Sequence, residues 1–263
     1  MTRSSRRSTA RLPSLAALLF GAVLQAGTVR AQDPQRANVP PTAEVRQLVT
    51  FLFAPGRAEE ARLIYEKSLR PLYSAQTQLL RFRAYHETES PEPLDLIVVS
   101  SYAGMAGMDA ASAGLRRPGA DGITALQWYG TLSAMTQSHH DEFVLMLPGL
   151  GDSRAAAADT TASLTVFEYV RVTPGSQAAF ERLLETRLRP FEQANTPLRW
   201  SETGRLLVGD GWDYVRSFGV RSLADWQAYR IALWQGSIWP ALGPLIVAQK
   251  TIIVRNDPRL GVR

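Results

Sequence analysis

Residues 55–71, PGRAEEARLIYEKSLRP, return at 174–190 as PGSQAAFERLLETRLRP. Pro55, Gly56, Leu69, Arg70 and Pro71 are matched by Pro174, Gly175, Leu188, Arg189 and Pro190, all at one offset of 119 residues. An offset kept without a gap marks an internal duplication, so the fold is read from the repeated unit. Each copy follows a run rich in β-branched and aromatic residues, 46–53 and 164–172, which predicts a strand. Each then carries an i, i+3, i+4 apolar stripe: Ala61, Ile64, Tyr65, Leu69 and Leu72 in the first copy, Phe180, Leu183, Leu184, Leu188 and Phe191 in the second. That stripe predicts a helix with one face on a sheet. Thr173-Pro174 reads as its N-cap and first helical residue.

Two further strands are predicted in each copy, over 79–85 and 94–102, then 198–203 and 212–219. Ser222 and Asp225 give an S-x-x-D capping signal for a helix whose stripe is Leu223, Trp226, Tyr229 and Leu233. The first copy has about a dozen extra residues around 115–122 before its own second helix. Closing strands are expected over 142–147 and 250–255. The order strand, helix, strand, strand, helix, strand is a ferredoxin-like βαββαβ unit with helices on one face only. The other face is also apolar, so two copies in one chain are expected to set their sheets face to face, as an intramolecular copy of a homodimer. The fold class is therefore α+β, two tandem βαββαβ repeats forming a pseudo-dimeric α+β barrel. The expected organisation is a signal peptide over 1–31, a flexible leader over 32–43, the first repeat over 44–148, a linker over 149–161, the second repeat over 162–256 and a tail over 257–263.

The leader assignment rests on a basic start (Arg3, Arg6, Arg7, Arg11), an apolar stretch over 12–24 and small residues near Ala31. It implies export to the periplasm or the exterior. It also removes a charge argument: the chain has 29 Lys+Arg against 24 Asp+Glu, and 1–31 holds five arginines and no acid, so 32–263 is neutral. Without a net positive field, nucleic acid is not expected as a partner. The apolar stretch is too short to span a bilayer, and no later stretch is long enough. There is no cysteine, which excludes disulfides, thiolate metal sites and a cysteine nucleophile.

The strand, Pro-Gly, helix, Leu-Arg-Pro pattern of 50–71 and 169–190 resembles the dimeric α+β barrel superfamily, in particular its NIPSNAP-like and antibiotic-biosynthesis-monooxygenase-like branches. The resemblance covers both repeats. It implies the fold, and it brings in cofactor-free monooxygenases, haem-degrading enzymes and haem-dependent peroxidases as relatives. No catalytic motif of those families is matched, so no catalytic residue is carried over.

Candidate ligand-binding residues follow from the pattern. Glu168 alternates with the apolar residues of its strand, and Arg216 alternates with Trp212, Tyr214 and Phe218. A buried charge must be paired or must bind something. The two residues read either as a self-contained ion pair or as a polar anchor in an apolar cavity. Trp200, Trp212 and Tyr214 are core residues or walls that stack a flat ligand between the sheets. His86 is a loop histidine or an axial haem ligand, which leaves haem open as a cofactor. His139-His140 is placed near the end of the first copy's second helix, where a cation suits the helix dipole. No metal motif is present. The expected ligand is a small apolar or aromatic molecule between the sheets. A monooxygenase-like or haem-related enzyme and a ligand-free NIPSNAP-like interaction protein are the alternatives. Either one chain or a homodimer satisfies the pattern.

Overall fold

The computed structural model describes residues 43–150, 162–194 and 197–262. The signal peptide, nearly all of the leader and most of the linker lie outside the described residues. The first half runs β1 (Glu44–Phe53), α1 (58–74), β2 (Leu79–Glu89), β3 (Leu96–Ala103), α2 (Gly104–Leu115), α3 (Ala125–Ser133) and β4 (Thr136–Met146). The second runs β5 (Leu164–Val172), α4 (177–194), β6 (Trp200–Val208), β7 (Tyr214–Val220), α5 (Leu223–Gln235), α6 (Trp239–Leu242) and β8 (Ile246–Asn256). All eight strands pair antiparallel in one sheet, in the order β1-β3-β2-β8-β5-β7-β6-β4, and β4 pairs back onto β1. The sheet therefore closes, through β2–β8 and β4–β6 contacts between the halves.

The same local devices recur in both halves. Ala54-Pro55-Gly56-Arg57 and Thr173-Pro174-Gly175-Ser176 are turns closed by the amide of the fourth residue on the carbonyl of the first, each at 2.9 Å. Gly56 and Gly175 have φ of 76° and 82°. That is the third position of a type II turn, where a Cβ is strained. Pro174 thus belongs to the turn, and the helix starts three residues later at Gln177 with Ser176 before it. Both long helices carry a π turn at the same place, Tyr65–Leu69 and Leu184–Leu188. Asp95 Oδ2 accepts from Phe53 N at 2.7 Å and Asp213 Oδ2 from Val172 N at 2.8 Å, so one carboxylate ties the end of the first strand to the start of the third in each half.

Burial divides the core into three. One cluster holds α1, α2 and α3 against the outer face of the first half's strands, through Tyr65, Leu69, Phe82 and Leu132. A second does the same for α4, α5 and the second half, through Phe180, Leu188, Phe218 and Trp226. A third, built almost wholly from strand residues, fills the inside of the closed sheet: Leu48, Ile97, Phe167, Val215, Ile252 and Val254 among others. Alternation along each strand sorts the residues between these layers.

Two assignments change. The closing strands are longer than expected, and β4 begins at Thr136, so His139 and His140 lie on a strand opposite Phe51 and Thr50 rather than near a helix end. Backbone pairing with β1 holds this polar stretch in the sheet although its side chains carry no apolar alternation. Trp234, next to the predicted stripe, is 52% exposed. The buried stripe of α5 is Trp226, Tyr229 and Leu233, and residue 234 falls about 100° round from it.

Candidate functional site

Because the middle of the closed sheet is packed with aliphatic and aromatic side chains, polar chemistry is confined to its two mouths. At one mouth the starts of β1, β2, β5 and β6 meet the ends of β3 and β7. A recess there is lined by Arg46, Arg81, Arg83, Tyr85, Val99, Ser101, Thr165, Phe167, Trp200, Glu202 and Ser217. It encloses room for about one water, ≈ 10 Å³, and counts ≈ 290 Å³ of empty space when its solvent-open part is included.

The charges there are unequal. Arg46 Nη1 and Nη2 donate to the two oxygens of Glu202 at 2.6 and 2.8 Å, a bidentate pair joining β1 of one half to β6 of the other. Arg46 Nε also donates to Glu44 at the rim, 2.7 Å. Burial works against the Arg46 cation, but Glu202 and Glu44 more than offset it and hold its pKa above the ordinary value. Burial alone would raise the Glu202 carboxyl; Arg46, Arg81 and Arg83 together keep it below the ordinary range. Arg81 Nη1 stands 3.7 Å from Glu202. Its own pKa is lowered, first by burial and then by Arg46 and Arg83, which outweigh Glu202 and Glu44. The Arg83 guanidinium lies 6.0 Å from the centre of the Trp200 ring. Trp200 Nε1 is buried and has no hydrogen-bond acceptor. The indole packs flat against Gly219, where a Cβ would collide with it.

The opposite mouth is built differently. Glu142, buried at the inner face of β4, accepts from Tyr169 Oη at 2.6 Å. Burial, only partly opposed by Tyr169, raises its pKa. His140 Nε2 lies 3.7 Å from Glu142 and 3.3 Å from Asp210 in the β6–β7 hairpin. Lys250 Nζ sits over the rings of Tyr169 and Trp212, at 4.9 and 5.6 Å.

The residues chosen from the sequence scatter over these layers. Glu168 and Arg216 are direct cross-strand neighbours. They lie on the outer face, beneath the helices, which removes them as anchors of an inter-sheet cavity. Arg216 Nη2 donates to Glu192 of α4, and Glu168 stands 3.8 Å from Arg216 Nη1. Glu192 also accepts from Tyr229 Oη and Ser201 Oγ, each at 2.7 Å. Tyr214 is in the same layer, against Phe180, with its hydroxyl on Glu181 at 2.7 Å. Trp200 and Trp212 do face inward but at opposite mouths, so they share no ligand. His86 Nε2 is 2.7 Å from Asp257 Oδ2 on the outer side. His139 stacks on Phe51, and the second half contains no histidine. None of the three rings lines the arginine-rich recess. Arg46, Arg81, Arg83 and Glu202 were missed. Their signal is charge at the inward phase of strands otherwise carrying Leu48, Tyr85 and Leu206.

No family model and no curated protein matches this chain. Solved structures do. A proposed monooxygenase from Lactobacillus acidophilus NCFM superposes with a TM-score of 0.59 at 10% identity, covering 81% of this chain and 94% of that one. An anthrone oxidase-like protein gives 0.54 at 12% identity over 82% and 92%. Chlorite dismutase from Candidatus Nitrospira defluvii, in complex with imidazole, gives 0.54 at 11% identity over 84% and 93%. At these identities the likeness is one of fold: that of the dimeric α+β barrel, monooxygenase-like and chlorite dismutase-like proteins.

Proposed function

We propose that this is an exported, single-chain α+β barrel, its halves two copies of one ferredoxin-like unit, that binds a small anion at the arginine-lined mouth. The observation that carries the reading is Arg81: burial and the neighbouring guanidinium groups disfavour it as a cation, and the carboxylate nearest it, Glu202 at 3.7 Å, is already held in a bidentate pair by Arg46. Buried cations without enough counter-charge are costly, and a bound anion relieves that cost. The proposed site lies at the end of the barrel, next to an interior cluster built from strand residues.

The test is thermal unfolding of the protein in a panel of small anions at constant ionic strength. At least one anion should raise Tm in a saturable way, and Arg81→Gln and Arg83→Gln should each abolish the rise. An equal response of the wild type and both variants to every anion would end the proposal. The packed interior favours a second reading, a NIPSNAP-like scaffold without a ligand, which predicts no saturable response at all. A monooxygenase-like activity is the reading the structural neighbours favour. It needs a group that handles a proton beside the substrate.

A further inference from the structure

We infer that residues 147–150 and 257–262 are a pair of straps, each the ligand of a peptide groove built by the other half, that lock the two seams of the closed sheet. Pro-x-Leu-Gly follows each closing strand, at 148–151 and at 258–261, an offset of 110 residues. The residues so matched make matching bonds. Leu147 N donates to the Thr203 carbonyl and Asp257 N to the Ala84 carbonyl, each at 2.9 Å, and Ala84 and Thr203 are themselves 119 residues apart. Leu150 N then turns back onto the Leu147 carbonyl, and Leu260 N onto that of Asp257, at 2.9 and 3.1 Å. Leu150 is buried in the second half's helix–sheet cluster and Leu260 in the first half's. The arginines of the repeated Leu-Arg-Pro close each clasp from the receiving half. Arg70 Nε donates to the Gly261 carbonyl at 3.2 Å, and Arg189 Nη1 to the Gly149 carbonyl at 3.1 Å.

The straps sit where the sheet is weakest. The β2–β8 and β4–β6 ladders, which join the halves, are the shortest among the described strands, and each carries a register shift. β8 pairs with β2 from Tyr85 onward; beyond it Phe82 N donates to the Val262 carbonyl at 3.0 Å and Val262 N to that of Phe82 at 2.8 Å. The second strap thus lengthens its seam along the same edge. Chain added to a strand edge, with one side chain in a pocket, is how a sheet holds an extended peptide. The pocket residue here is Leu260, 1% exposed, in the cluster of Tyr65, Leu69 and Phe82. An acid ahead of the proline gives this groove its chemical preference. The buried Asp257 carboxylate accepts from His86 Nε2 at 2.7 Å, stands 3.5 Å from Arg62 Nη2, and takes the amide and guanidinium of Arg259 within the strap. His86 is thus an anchor of the strap. The ligand that fits is Asp-Pro-x-Leu-Gly, and the chain's own 257–261 supplies it, on the outer face and apart from the arginine-lined recess.

Amide hydrogen exchange of the full chain reads the two straps separately, because the Phe82 amide is bonded to the second and the Leu147 amide belongs to the first. Leu260→Asp puts a charge into the pocket. It should speed exchange at Phe82 at least about tenfold while Leu147 keeps its parental rate. A synthetic peptide of residues 256–263 at about 1 mM, the order of a tethered segment's effective concentration, should restore protection at Phe82 in that variant. The same peptide carrying Leu260→Asp should not. If Leu260→Asp speeds both amides alike, the whole fold has loosened and Arg70→Gln decides instead. Arg70 is exposed, and its loss should speed Phe82 at least about twofold without moving Leu147. Parental exchange at Phe82 in Leu260→Asp, or in Arg70→Gln where that variant decides, would overturn the strap. A loosened Phe82 that the peptide fails to protect would overturn the groove.

Discussion

Replacing Glu192 by alanine should cost about 3–5 kcal/mol, because it strands a buried guanidinium. Glu192 is 4% exposed and Arg216 is 2% exposed. Without it, Arg216 keeps Glu168 at 3.8 Å and a long contact to Thr203 Oγ1 at 3.4 Å. Tyr229 also loses its acceptor. Each stranded donor adds about 1–3 kcal/mol if it stays dry, but a water entering the truncated side chain's space recovers part of this. The lower range is therefore the expectation. The first half shows the apolar solution to the same packing problem. At the equivalent positions it carries Val49, Tyr73, Phe82 and Val98 where the second carries Glu168, Glu192, Ser201 and Arg216, and Tyr73 stacks on Phe82 at 4.3 Å. A Glu192→Leu/Arg216→Met double variant should accordingly sit within about 1–2 kcal/mol of the parent. Glu168 tolerates losing its cation, since burial already raises its pKa despite Arg216. Urea unfolding followed by tryptophan fluorescence measures all three proteins. A single variant within about 1 kcal/mol of the parent, or a double variant no better than the single, would refute the argument. Anion binding at the mouth should not change, because this network faces away from it.

Leu188→Ala should lose about 2–5 kcal/mol, since Leu188 is fully buried between α4 and the sheet; a loss below about 0.5 kcal/mol would contradict that packing. Glu142→Gln tests the other mouth through pH. The folded-state pKa of Glu142 lies above the unfolded one, so its contribution is fully present below the unfolded value and is lost as pH rises through the folded value. At neutral pH the carboxylate is therefore a burden, and Glu142→Gln should be at least as stable as the parent there. Its advantage should shrink as pH is lowered toward 4, measured by urea midpoints across pH, and an advantage that grows on acidification would sink the assignment.

The fold was legible where one period rules. The stripes of α1 and α4, the turn glycines Gly56 and Gly175 and the paired Asp95 and Asp213 all answer to local spacing, and residues 164–172 are strand from end to end. β4 was half read because His139-His140-Asp141 carries no alternation; only the partner strand β1 makes it sheet. The site was not legible for a different reason. Alternation shows that two residues share a face and leaves open which face is the inner one. Glu168 and Arg216 alternate as cleanly as Arg46 does, and what separates them is that α4 brings Glu192 over the one face while the closed sheet brings Glu202 over the other.

If the chain is the tandem duplication proposed above, strand register shows what joining two units makes possible. Arg81 opposes Ser101 as Trp200 opposes Gly219, and Arg83 opposes Val99 as Glu202 opposes Ser217. Arg46 corresponds to Thr165 at the offset of 119. In a homodimer of first halves, each of these positions would occur twice around the axis, and six guanidinium groups would crowd one mouth against two rim carboxylates from Glu44. A homodimer of second halves would place two carboxylates there with no arginine. Each symmetric arrangement is electrostatically worse than the mixed one, where Arg46 reaches across to Glu202. In the duplicated chain we propose, the asymmetry is thus a condition for having the recess at all. The residues that differ between the halves at matched inward positions, rather than those that repeat, are where ligand chemistry should be sought.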